Sequence, residues 1–133
     1  MALMKFREPN QVKWMGLRPG HNGTQVRGYI SVDNADAIVY TVPADKTFYL
    51  CSLTLGYLAL AAGVAEISLR NAADAFLCNF LRDVIVATSS GRSQSLTFWP
   101  PMEITSLYDI FIKSNAAGLQ INGFVFGWYE PPP

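Results

Sequence analysis

Thr41-Val42-Pro43-Ala44-Asp45-Lys46-Thr47-Phe48-Tyr49-Leu50-Cys51-Ser52-Leu53-Thr54-Leu55 is the stretch that decides the fold. Pro43 presets φ for the first corner of a turn and cannot donate into a ladder, so pairing stops there and resumes at Thr47. The next strand, Thr47 to Tyr57, carries Phe48, Leu50, Leu53 and Leu55, which points to cover on both of its faces. It builds core. Residues before the turn read as an arm and edge strands, and residues after it read as a sandwich.

Downstream, Leu58 to Gly63 suits a helical turn or a wide loop. Val64 to Asn71 alternates, with Ile67 and Leu69 inward and Glu66, Ser68 and Arg70 outward, as in a half-exposed antiparallel strand. Ala75 to Ala87 is apolar and rich in Phe, Val, Ile and Cys, which favours one long strand, kinked or turned near Arg82-Asp83. Ser93 to Trp99 is a strand that Pro100-Pro101 should end, and Leu107 to Lys113 is another. Ser114 to Gly118 reads as a hairpin loop. In the last strand, Leu119 to Glu130, Leu119 and Ile121 share a face, and then Phe124, Phe126 and Trp128 do. That change of parity at Asn122-Gly123 predicts a β-bulge.

Upstream, Gln25 to Asp33 has Val26, Ile30 and Val32 on one side and Arg27, Tyr29 and Ser31 on the other. Ala37 to Val42 is its expected hairpin partner across the Asp33–Asp36 turn. Those acidic residues lack the spaced loop, Gly and terminal Glu of a calcium site. Met1 to Thr24 has no sustained period and is dense in Pro and Gly, so it reads as an extended arm. Its anchors Trp14, Met15 and Leu17 favour burial somewhere. About eight strands with turns at intervals of about 8–12 residues predict an all-β fold, a single antiparallel β-sandwich or jelly roll. Residues 1–24 are its arm and residues 25–133 its body.

Composition narrows the role. Of 133 residues, half are hydrophobic and only 15% are charged, against about 25% in a typical soluble domain. So uncharged a surface suits obligate assembly. Residues 1–28 hold five basic residues (Lys5, Arg7, Lys13, Arg18, Arg27) against Glu8, and the rest hold five basic against nine acidic, giving +4 and −4. A basic arm on an acidic body fits a neighbouring acidic protein surface. It lacks the Lys/Arg run that nucleic acid would favour. No basic-then-apolar signal opens the chain, and the run at Leu53–Val64 is too short to span a membrane. Asn22-Gly23-Thr24 is read as a turn and not as a glycosylation site.

No constellation for catalysis emerges. His21 is the one histidine and sits among Gly, Asn and Pro, a poor mount for a triad. Glu66 with Glu103, or Asp83 with Asp109, has no spacing that singles out a carboxylate pair. Cys51 and Cys78 lie in apolar runs and not in a Cys-x-x-Cys pair. They would form a disulfide only on neighbouring strands. The chain is not expected to be an enzyme or to hold a cofactor or metal. The aromatics Phe98, Trp99, Phe124, Phe126, Trp128 and Tyr129 suit either a sugar platform or a subunit interface. With both faces of the last strand aromatic, Phe124, Phe126, Trp128 and Tyr129 are assigned to an interface.

From Val42-Pro43-Ala44-Asp45-Lys46-Thr47-Phe48-Tyr49-Leu50, through Pro101-Met102-Glu103-Ile104 and Ile110-Phe111-Ile112-Lys113, to Gly127-Trp128-Tyr129-Glu130, the chain resembles jelly-roll decoration (cement or auxiliary head) proteins of tailed-bacteriophage capsids. The resemblance is one of style and order. It implies a virion structural protein made in the host cytoplasm and carried on the capsid surface, commonly as a homotrimer. Its partners would be further copies of itself and the major capsid protein. In that setting Lys5, Arg7, Lys13, Trp14, Met15, Leu17 and Arg18 would make the arm's contacts with neighbouring subunits. The alternative is a carbohydrate- or receptor-binding module of a phage fibre or tail. A TNF-like signalling module is disfavoured by the lack of a secretion signal.

Overall fold

The turn after Val42 closes by a different route from the one the sequence suggests. Lys46 N–H donates to the Pro43 carbonyl at 3.3 Å, so Pro43 opens the turn and does not form its corner. Asp45 takes the left-handed position at φ 63°, which aspartate tolerates. Val42, wholly buried, is held from both sides: its N–H donates to the Tyr108 carbonyl at 3.0 Å, and its carbonyl accepts from Leu107 N–H at 2.8 Å.

The computed structural model describes residues 24–86 and 90–130. These form β1 (Thr24–Asp33), β2 (Asp36–Thr41), β3 (Thr47–Ala59), β4 (Gly63–Arg70), β5 (Phe76–Ile85), β6 (Ser90–Ile104), β7 (Asp109–Ser114) and β8 (Leu119–Glu130). Two antiparallel four-stranded sheets result, ordered β1-β8-β3-β6 and β2-β7-β4-β5. Every connection except β4–β5 passes from one sheet to the other, which is jelly-roll winding. The region around Leu58 expected to be helix or loop is the end of β3, leading into a short turn. The arm, residues 1–23 including His21, lies outside the described residues, and β1 begins at Thr24.

Two expected hairpins are not hairpins. β1 pairs with β8 and β2 with β7, although only a tight turn separates β1 from β2. Likewise β7 and β8 lie in opposite sheets. A short turn fixes where a chain reverses. The partner is set by which neighbouring strand completes the ladder while the apolar face stays inward. The two turns meet at one end of the sandwich, where the Asp33 carboxylate accepts from Gly118 N–H at 3.0 Å.

β8 holds the most informative difference. Its ladders with β1 and β3 run through Asn122-Gly123 without a shift, so there is no bulge there. The parity never changes: Leu119, Ile121, Gly123, Val125 and Gly127 face the core throughout. A Cβ on Gly123 would stand 2.5 Å from Ile112 Cγ2 and 2.9 Å from Val39 Cγ2, and one on Gly127 would collide with the Tyr49 carbonyl and the Phe48 ring. Glycine is present at 123 because the facing sheet leaves no room, and at 127 because β3, its neighbour in the same sheet, leaves none; the aromatics between the glycines point outward.

The other irregularities also fall elsewhere than expected. Pro100-Pro101 does not end a strand. β6 continues to Ile104, with residues 98–101 standing opposite Cys51 alone and a cis Trp99-Pro100 bond within them. β6 is an edge strand, where missing N–H donors are tolerated. β5 is one strand as expected, but its register shifts at Leu77 and Phe80 and not at Arg82-Asp83. Cys51 and Cys78 lie in different sheets as free thiols.

Buried polar groups make the fold sensitive to alkali. Burial, with Tyr129 adding to it, pushes the Tyr40 phenol up to about 12, and burial pushes the Cys51 thiol up to about 11. Both groups ionise earlier in the unfolded chain, so the folded state binds more protons above pH 9. Chemical denaturation should therefore show stability falling as pH rises from about 9 towards 12. Gly127→Ala should cost roughly 1–3 kcal/mol or more through overpacking. Gly91→Ala, whose nearest would-be contact is 3.7 Å away, should stay within about 0.5 kcal/mol in the same urea titration.

Candidate functional site

The two outer faces of the sandwich differ in chemistry. Strand alternation places Asp36, Lys113, Glu66 and Arg82 in one row across the β2-β7-β4-β5 sheet. In the next rows stand Ile38, Phe111, Ser68 and Asn79, and then Thr41, Asp109, Arg70 and Phe76. The charges are matched: Arg82 Nε lies 3.5 Å from Glu66, and Arg70 lies 3.9 Å from Asp36 while its guanidinium covers the Phe111 ring at 3.9 Å. Thr41 donates to Asp109 at 2.6 Å, and Ser68 donates to Asn79. Phe111 is consequently buried under Arg70 even though it points away from the core. The open depression lined by Val64, Glu66, Arg82, Lys113 and Asn115 belongs to this charged face.

The outer face of β1-β8-β3-β6 is nearly uncharged. Its rows are Gln25-Trp128-Tyr49-Glu103, Arg27-Phe126-Ser52-Thr97 and Tyr29-Phe124-Thr54-Ser95, and then Ser31-Asn122-Gly56-Ser93. Arg27 lies over the Phe126 ring at 5.6 Å, and Thr54 and Ser95 share a hydrogen bond at 2.9 Å. Tyr29 is 64% exposed and Phe124 36%. The sequence pattern assigns Phe124, Phe126, Trp128 and Tyr129 together to an interface. The first three share this face. Tyr129 has the opposite parity and stands under Lys46, whose Nζ is 5.5 Å from its ring. Tyr29, on the neighbouring strand, belongs with the set and is missed from sequence, because only the β1–β8 register brings it beside Phe124.

The candidate carboxylate pairs are not assembled. Glu66 and Glu103 lie on opposite outer faces. Asp83 and Asp109 stand opposite Ala65 and Arg70 on β4, five residues apart, or roughly 17 Å at strand rise. That exceeds the separation of about 5–9.5 Å that glycosidase chemistry uses. Asp83 instead straps the two sheets together at the β5–β6 edge. It accepts from Tyr57 OH at 2.9 Å and Gln94 Nε2 at 2.9 Å, with Arg92 at 3.5 Å. Among the described residues no group of His, Cys, Asp and Glu could hold a metal ion, and no helix is long and apolar enough to cross a membrane.

The fold is thus that of an eight-stranded jelly-roll sandwich with one charged and one aromatic outer face. No protein-family model matches the chain, and no curated protein matches it. Among solved structures it is similar to the Eiger TNF of S. frugiperda at 13% identity, over 81% of this chain and 92% of that one, with a TM-score of 0.48. It is similar at 16% identity to the coat protein of Tobacco streak virus, over 88% of this chain and 92% of that one, with a TM-score of 0.43. A pentameric capsid protein from metagenomic phage sequences is 17% identical over 79% of this chain and 61% of that one, with a TM-score of 0.41.

Asp83 is a strap and not a site. Tyr57→Phe should accordingly lower stability by about 1–2 kcal/mol in urea and leave the oligomeric state, measured by light scattering, unchanged.

Proposed function

We propose that the chain is a virion structural protein: a jelly-roll subunit that associates with copies of itself, as a trimer, and decorates and stabilises the capsid lattice of a tailed bacteriophage. The observation that carries this reading is the aromatic, nearly uncharged outer face of the β1-β8-β3-β6 sheet, with Tyr29 and Phe124 open to a partner. The opposite sheet face matches its charges among its own residues, as a solvated surface does. Large aromatics in an uncharged patch are what the centre of a protein interface needs. Decoration acts by burying area across subunit boundaries, and its effect multiplies over the copies bound. The basic residues Lys5, Arg7, Lys13 and Arg18 would then engage acidic surfaces of neighbouring capsid subunits.

Light scattering on the full-length chain at micromolar concentration should give a trimer. Phe124→Glu, which puts a charge in the middle of the patch, should shift it towards monomer with its strand circular dichroism intact. A monomeric wild-type chain would contradict the reading, and a monomer that binds a glycan array through the same aromatics would favour a fibre or tail carbohydrate-binding module.

A further inference from the structure

Only two charges stand in the four rows across the outer face of β1-β8-β3-β6, and they lie on opposite edges of the sheet: Arg27 on β1 and Glu103 on β6. Three strand spacings separate those edges, roughly 14 Å, and the rows of the two residues differ by one, so they cannot pair within one chain. Both are exposed, and neither has an ion-pair partner among the described residues. On the opposite outer face, by contrast, Arg70 meets Asp36 and Arg82 meets Glu66 within the chain. The most exposed rings follow the same division, Tyr29 on β1 at 64% and Trp99 on β6 at 62%. Among the described residues each of these strands is the last of its sheet, with ladder groups open on its outer side.

Unlike charges on opposite edges are the pattern of a head-to-tail contact. A two-fold contact sets an edge against its own copy, so the one charge each brings to these rows has the same sign, which is unfavourable. A cyclic trimer needs a heterologous contact, in which two different surfaces meet. The strand directions suit one. Three antiparallel steps separate β1 from β6, so the two run in opposite directions. Rotating a copy about an axis along the strands keeps each strand's direction and height. It brings β6 of the next copy antiparallel to β1, row level with row.

We infer that the β1 edge of one copy seats against the β6 edge of the next, pairing Arg27 with Glu103 and covering Tyr29 and Trp99, so that the trimer closes head to tail. The inference rests on the assembly reading and names the surface that receives the β1 side of the aromatic face. At level rows Arg27 has Thr97 opposite and Glu103 on the diagonal, within reach of a guanidinium. Residues 98–101 fall between those two levels and stand opposite Cys51 alone in their own sheet, so they bulge at the edge. Pro100 and Pro101 have no N–H to offer a ladder, so at this level side chains make the contact, with Trp99 the largest. The next rows set Tyr29 against Ser95 and Ser31 against Ser93, where no like charges meet.

The test reverses the two charges in the full-length chain and follows the trimer by sedimentation across a dilution series. Arg27→Glu and Glu103→Arg should each raise the concentration at which the trimer half-dissociates several-fold, with strand circular dichroism intact. The double reversal should bring it back towards the wild-type value. A short bis-maleimide adds the geometry, in a Cys51→Ala/Cys78→Ala background. Chains carrying Arg27→Cys mixed with chains carrying Glu103→Cys should give a linked dimer, and the chain carrying both should give a linked trimer. Neither single-cysteine chain should link to itself. A wild-type trimer that tolerates both reversals, or a double reversal no better than either single one, overturns this inference and leaves the assembly reading standing. So does self-linking of Arg27→Cys or Glu103→Cys alone, which would mean a two-fold contact. A chain that stays monomeric at every concentration overturns both.

Discussion

The rest of the structure depends on how closely β8 packs against the facing sheet at Gly123 and against β3 of its own sheet at Gly127. At Gly123 and Gly127 the space a Cβ would occupy is already held by Ile112, Val39, Phe48 and the Tyr49 backbone. A strand that presents glycine inward at 123 and 127 has no room for an inward side chain at those two positions, and its rings stand on the other face. Phe124, Phe126 and Trp128 are therefore placed outside the sandwich by the packing inside it. The same contact lets β8 sit at the centre of its sheet, laddered to β1 on one side and β3 on the other.

That constraint gives the molecule two apolar layers. One lies between the sheets and holds the fold, with Phe48, Leu53, Ile67, Ile112 and Ile121 among its dry residues. The other lies on the outside of the β1-β8-β3-β6 sheet, whereas on the opposite outer face Ile38, Phe111 and Phe76 stand among charged and polar neighbours. Across the sandwich the corresponding face carries Glu66 with Arg82, and Arg70 with Asp36, which is how a sheet is made comfortable in water. Fully burying a large apolar side chain contributes roughly 1.5–3 kcal/mol. A face with several aromatics thus has enough to offer a partner once ordering and association costs are met. The face is dry at Trp128 and wet at Tyr29.

Much of the fold was legible in the sequence. The strand after Pro43, the clean alternation of Val26, Ile30 and Val32 against Arg27 and Tyr29, and the number of strands all come from local pattern and turn chemistry. Partnership between strands was not legible, because a tight turn such as Asp33–Asp36 reads the same whether the chain pairs back or crosses to the other sheet. The parity of β8 is hidden for a related reason. Glycine has no hydropathy to show which way it faces, so Gly123 looks like a bulge when it is the core position. Phe111 illustrates the opposite case, an outward ring made dry by Arg70 on a neighbouring strand. The aromatic site was half legible: β8 announced its three rings, but Tyr29 joins them only through the β1–β8 register, and Tyr129 leaves them by parity.

Covalent footprinting of the full-length chain across a dilution series tests most directly whether this outer face is the one that meets other copies. Hydroxyl-radical labelling of Tyr29 and Phe124 should fall as the oligomer forms, while Phe76, on the charged face, keeps its rate. An oligomer that forms with Tyr29 and Phe124 still labelled at their monomer rates would contradict the account.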